Sequence, residues 1–238
     1  MKKNYSQYIW PVTIIVLYSI YFYTINKILF VNGWEISLRD ITNNNIGIKL
    51  AVDSAVMLIL PVMLCVIYRK RLNELGMVKS KISLILLFIY FIFFFMHGDF
   101  SASGCYKAFF YIFIVAAPEE IIYRGYLFSK LKSFNRLIAI LVSGSLWGII
   151  HAILPGILAG NDLSIILVSM LSQIGGGIVG GLFFICLFEY GGSLLVAIMV
   201  HALLDYSYES WGTIVGIVVF AYLILASRKE IIADKNNE

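Results

Sequence analysis

Eight apolar runs, at 8–29, 50–68, 82–97, 108–129, 137–155, 164–188, 193–208 and 211–227, take up most of the 238 residues. At roughly 1.5 Å per helical residue, runs of this size suit a hydrocarbon layer about 30 Å thick. The stretches between them are short and show no domain-like composition. The expected fold is therefore all-α: a polytopic membrane helix bundle of about eight transmembrane helices, forming one integral membrane domain over 1–238. Composition agrees, since 61% of the residues are hydrophobic and 13% charged, against nearer half and a quarter in soluble domains.

The basic residues fix an expected orientation. Thirteen of the eighteen Lys and Arg fall on one side of an eight-span scheme. They are Lys2 and Lys3; Arg69, Lys70, Arg71, Lys79 and Lys81; Lys130, Lys132 and Arg136; and Arg228, Lys229 and Lys235. The opposite loops hold Arg39, Lys49 and Lys107, while Lys27 and Arg124 fall within spans. Basic loops stay on the cytoplasmic side, so both termini are expected there. This pattern accounts for the net charge of +4 as a topology signal and excludes a nucleic-acid partner. The run from Tyr8 to Ile25 exceeds a signal-peptide core and lacks a small-x-small cleavage site, so it reads as the first membrane helix. The polar tail 233–238 is expected to be disordered. Cys65, Cys105 and Cys186 show no disulfide pairing and no C-x-x-C spacing.

Inside the fourth run lies Ala116-Ala117-Pro118-Glu119-Glu120-Ile121-Ile122-Tyr123-Arg124. A charge at membrane depth costs at least a few kcal/mol, which marks such residues as functional. On a helix Glu120 and Arg124 share a face in the favourable acid-first order. Glu119 is turned about 100° away. Arg124 is thus expected to hold Glu120, leaving Glu119 unpartnered, and a desolvated carboxylate is a credible base near neutral pH. Pro118 withholds an N–H and is expected to kink the helix beside a cavity.

Two of the three histidines also lie within spans. His151 closes Trp147-Gly148-Ile149-Ile150-His151, and His201 opens His201-Ala202-Leu203-Leu204-Asp205. Each spacing of four puts the two end side chains on one face. Polar groups in lipid must find one another inside the bundle, so Glu119, His151, His201 and Asp205 are expected to meet in one cavity. His97 falls at a span boundary and is read as interfacial. The glycines of Gly176-x-x-x-Gly180 and Gly177-x-x-x-Gly181 let helices approach closely. Gly191-Gly192 makes a turn into the seventh span.

Such a set suits amide hydrolysis. Glu119 would take a proton from water, and His201 with Asp205, or His151, would stabilise the oxyanion or protonate the leaving amine. That mechanism needs no cofactor. Glu119, His151 and His201 could instead bind Zn²⁺ with an open position for water. No His-Glu-x-x-His, Gly-x-Ser-x-Gly or Gly-x-Gly-Asp motif is present.

Glu119-Glu120-x-x-x-Arg124, an aromatic-x-x-x-His151 and His201-x-x-x-Asp205, in that order on separate spans, resemble the CPBP family of CAAX proteases and bacteriocin-processing enzymes, also called Abi. The likeness covers about 108–208, the expected motif-bearing catalytic core, and includes Gly177-x-x-Gly180 and Gly191-Gly192-Ser193-Leu194. It implies an intramembrane endopeptidase, glutamate-dependent and by some descriptions a metalloprotease, in which Glu119 activates water. His151 and His201 would complete the site, and Asp205 would help at the oxyanion. Trp147 stands where Phe is usual and Asp205 where Asn is frequent. An ionised Asp cannot donate a hydrogen bond, so it is either protonated or orients His201.

The expected partners are a membrane-associated or secreted peptide or protein substrate and the lipid bilayer. The expected setting is a bacterial cell membrane, because the loops are rich in Lys and Asn. A non-enzymatic immunity protein or sensor scaffold is the alternative of another class. A proton-coupled transporter would also use buried Glu and His, but the chain shows no pair of related halves.

Overall fold

The computed structural model describes residues 6–160 and 162–235, with side chains as far as 228. Lys2, Lys3, the end of the tail at 236–238 and the side chains of Lys229 and Lys235 lie outside the described residues. Among those described, nine helices and one short 3₁₀ turn (Leu72–Leu75) account for the regular structure, and no strand forms. The helices are α1 (Ser6–Val31), α2 (Ile46–Met57), α3 (Ile59–Ile67), α4 (Lys81–His97), α5 (102–131), α6 (Arg136–Leu158), α7 (Leu163–Gly191), α8 (Leu194–Asp205) and α9 (Trp211–Lys235). The helix at the C-terminus thus runs into the stretch expected to be disordered.

By length and composition, α1, α6, α7 and α9 are each able to cross a membrane, and α2 with α3 adds a fifth candidate. Helices α4 and α8 are apolar but shorter. Large apolar side chains such as Leu17, Phe88, Leu171 and Val179 face outward, as a lipid environment requires.

The second expected span is broken. Helices α2 and α3 meet at a 64° bend, just before Pro61, whose ring excludes the carbonyl four positions back at Met57. Hydroxyls from α1 take up the carbonyls freed there. Tyr18 donates to Met57 O at 3.2 Å and Tyr21 to Ala55 O at 2.6 Å. The seventh span is also shorter than expected, because α8 stops at Asp205 and Glu209 adopts a left-handed φ of 49°.

Helix starts carry side-chain caps that the sequence supplies. Ser101 accepts from Gly104 N, Asn135 from Ile138 N, Asp162 from Ser164 N and Ser193 from Leu195 N. Each satisfies a backbone donor that the first turn leaves open. Gly192, at φ 62°, ends α7 in the left-handed conformation that a residue with a side chain disfavours.

Helix α5 is the axis of the bundle. All residues from Pro118 to Phe128 are buried, against α1, α3, α6 and α8 among others. Pro118 does not interrupt it. The helix widens instead into π-helical turns at Tyr111–Ala116 and Ile121–Phe128 on either side of the four residues Ala117–Glu120. Widened turns of this kind recur at functional sites.

Helices α6 and α7 pack on a seam of glycine. A Cβ on Gly181 would lie 3.1 Å from Gly144 Cα, and one on Gly144 would lie 2.7 Å from Ile178 Cα. Of the glycines in the two motifs of this helix, Gly177 and Gly181 form this seam, Gly180 sits under the Trp147 ring, and Gly176 lies away from it. Their partners, Gly144-x-x-x-Gly148 on α6, make the seam two-sided.

Candidate active site

Helix α6 also places Trp147 and His151 against Glu119 of α5. Trp147 Nε1–H donates to Glu119 Oε2 at 2.7 Å. His151 Nε2 lies 3.6 Å from the same oxygen, and its Nδ1 lies 2.8 Å from Trp147 O. A carbonyl only accepts, so Nδ1 carries the proton of that bond and Nε2 is the nitrogen turned to the carboxylate. One tryptophan therefore brackets both groups, its ring holding the acid and its backbone holding the imidazole.

From α8, His201 Nδ1–H donates to Glu120 Oε1 at 2.9 Å, leaving Nε2 at 3.9 Å from Glu119 Oε2 and 3.5 Å from Asp205 Oδ2. Phe184 stacks on the ring at 4.6 Å. Both histidines thus present Nε2 to one oxygen of Glu119. Glu120 is the nearer carboxylate to His201, so it fixes the ring more firmly than Asp205 does.

Arg124 lies where the spacing placed it, with Nη1 3.2 Å from Glu120 Oε1, and the two side chains are 1% and 0% exposed. This is a close charge contact without hydrogen-bond alignment. Among the described residues, Glu120 Oε2 and both Arg124 terminal nitrogens have no hydrogen-bond partner. The guanidinium instead lies over the rings of Trp147 at 4.4 Å and Phe184 at 5.0 Å, whose faces attract a cation. Gly181 leaves room for it, since a Cβ there would lie 3.8 Å from Arg124 Nη2.

A cavity of about 730 Å³ leads to Glu119 and His151. Its inner wall is largely apolar, formed by α1, α2, α5 and α6, and its far end is bounded by the 35–40 loop, with Glu35 and Asp40. Burial pushes the Glu35 carboxyl above its ordinary range, with Lys49 pulling it back. Glu119 is almost buried, whereas the His151 side chain is 40% exposed and that of Asp205 32%. Asp205 sits at the C-terminal end of α8. His97 is exposed, 3.4 Å from Tyr206 O and against the Tyr206 ring.

Tyr123 is a residue that the motif spacing did not single out. It lies four positions after Glu119, lines the same cavity and is 1% exposed. Among the described residues its hydroxyl has no hydrogen-bond partner. Leaving a buried donor unpaired costs about 1–3 kcal/mol, and only the i, i+4 relation to Glu119 could have drawn attention to it.

Among the described residues no group of three or more His, Cys, Asp or Glu is arranged to hold a metal ion. The Glu119 oxygen that faces both imidazoles already accepts the Trp147 N–H. The donor types suit zinc, but this arrangement does not fit a resident ion.

The fold and site define a class: a polytopic helical membrane protein with carboxylates and imidazoles from three helices gathered at the end of a cavity. Residues 101–207 match the family model described as type II CAAX prenyl endopeptidase Rce1-like, so this part of the chain is similar to the CAAX protease (CPBP) family. A search of curated proteins and a search of solved structures gave no match.

Proposed function

We propose that the chain is an intramembrane endopeptidase that hydrolyses a membrane-associated or secreted peptide with water activated by Glu119. The observation that carries this reading is the approach of both imidazole Nε2 atoms to one Glu119 oxygen, at 3.6 and 3.9 Å, at the end of the cavity. Glu119 takes a proton from water, and the water oxygen attacks the scissile carbonyl carbon. His151, the more open of the two rings, donates to the oxyanion from Nε2 in its doubly protonated form, its Nδ1–H staying on Trp147 O. The proton held by Glu119 passes to the leaving amine as the C–N bond breaks, giving a new carboxyl terminus and a new amine.

His201 is a positioning residue in this scheme, oriented by Glu120, whose charge Arg124 balances. Tyr123 donates its free hydroxyl to the peptide backbone. No step runs through a metal. The distribution of Lys and Arg supports a multi-pass membrane protein with both termini cytoplasmic.

The test is a comparison of the membrane and secreted peptides of cells carrying the native chain or Glu119→Gln, at equal protein levels. New peptide termini present only with the native chain are expected. Identical peptide sets, with any cellular phenotype retained by Glu119→Gln, would instead point to the immunity or scaffold role.

A further inference from the structure

The cavity and the basic loops lie at opposite ends of the bundle. Cavity-lining residues of α1 run from its middle, at Tyr18, as far as Leu29, and those of α6 come from its C-terminal half, as far as Leu158. Those of α2 begin at Lys49 in its first turn. These are the ends joined to the 32–45 and 159–162 loops. The connections at the other end, 68–81 and 131–136, carry Arg69, Lys70, Arg71, Lys79, Lys81, Lys132 and Arg136, and none of these lines the cavity.

The mouth differs in charge as well as in position. Lys49, the one cation lining the cavity among the described residues, is paired with Asp53 at 2.8 Å. Asp53 also accepts from Tyr106 at 2.8 Å. That pair is neutral, which leaves the Glu35 and Asp40 carboxylates facing the opening without an ion pair among the described residues. Arg39 is exposed in the same loop but does not line the cavity. Basic segments are retained on the cytoplasmic side of a membrane, so an opening at the opposite end faces outward.

Resting on the peptidase reading above, we infer that the site is reached from the non-cytoplasmic side and takes an exported peptide whose apolar segment is flanked by cationic residues. A cytoplasmic tail would have no path to Glu119 through this cavity. The acidic rim would steer and retain a cation while the apolar wall holds the segment to be cut.

Two measurements test this without depending on cleavage. First, intact cells are treated with a membrane-impermeant maleimide. Ser37→Cys, at the cavity mouth, and Asn73→Cys, in the basic connection, are each placed in a chain whose other cysteines are replaced by alanine. Ser37→Cys is expected to react in intact cells, and Asn73→Cys only after permeabilisation. The native chain provides a check should either variant misfold. Its exposed Cys105 lies in the first turn of α5, close to where Ser103 donates to Leu38 O at 2.6 Å, and it too should react in intact cells. The reverse pattern would overturn the inference.

Second, binding of a fluorescent apolar peptide flanked by lysines, or by glutamates, is measured on the Glu119→Gln chain in lipid nanodiscs. A roughly fivefold preference for lysine flanks is expected, lost in the added Glu35→Gln, Asp40→Asn pair. Equal binding, or a preference for glutamate, would refute the cationic flank. Outward labelling with peptide sets that do not depend on Glu119 would sink the peptidase reading and leave the direction of access standing.

Discussion

Removing Arg124 should destabilise the bundle far more than removing Arg124 and Glu120 together. The pair is 1% and 0% exposed, with the charges 3.2 Å apart. Arg124→Gln leaves a carboxylate in the core with only the His201 Nδ1–H against it, and breaking a buried pair on one side costs about 3–5 kcal/mol. Glu120→Gln should cost less, about 1–3 kcal/mol, because the guanidinium keeps the two ring faces of Trp147 and Phe184. The double variant buries no net charge, and the amide oxygen that Glu120→Gln introduces can still accept from His201. It should therefore be more stable than Arg124→Gln alone, with a coupling of about 2 kcal/mol or more in the cycle. Reversible unfolding in mixed micelles, followed by tryptophan circular dichroism, measures all four chains. Costs that add to within about 0.5 kcal/mol would refute the idea that each charge is there to neutralise the other.

Glu119→Gln should keep the bond from Trp147 and the melting temperature while lowering peptide cleavage by about 10²–10⁴, the usual worth of a general base. His151→Ala, at a side chain 40% exposed, should leave stability nearly unchanged but lower kcat by about tenfold to a hundredfold; full activity would remove it from the mechanism. Tyr123→Phe should raise KM by roughly fivefold to tenfold with no loss of stability, since no partner is left unpaired. An unchanged KM would make the hydroxyl irrelevant to the peptide. Gly144→Ala should disturb the glycine seam and lower stability by about 1–3 kcal/mol, measured in the same micelles.

The helices were legible because runs of apolar residues of spanning length have few other solutions in lipid. Positions of the intramembrane charges were legible for a related reason, since i, i+4 spacing alone paired Glu120 with Arg124. The bend at Leu58 was less so. Pro61 sits inside an unbroken apolar run, and only Tyr18 and Tyr21, far away in sequence, reveal where the freed carbonyls go. Pro118 was legible as a special position, but the π-helical turns on both sides of it were not, since no residue pattern marks them. Trp147 was visible as a ring one turn from His151, but its N–H bond to Glu119 depends on how closely α6 approaches α5. Gly144 and Gly148 set only the approach of α6 to α7. The sharing of His201 between Glu120 and Asp205 is likewise a matter of distance between helices, which spacing along one helix does not contain.

The central claim is that Glu119 activates water for peptide hydrolysis within the membrane. The most direct measurement presents an apolar peptide library to the purified chain in lipid nanodiscs, with the products read by mass spectrometry for the native chain and for Glu119→Gln. Cleaved peptides with the native chain, and none above background with a Glu119→Gln chain of equal melting temperature, are the expected result. Cleavage by Glu119→Gln at the native rate would contradict the account.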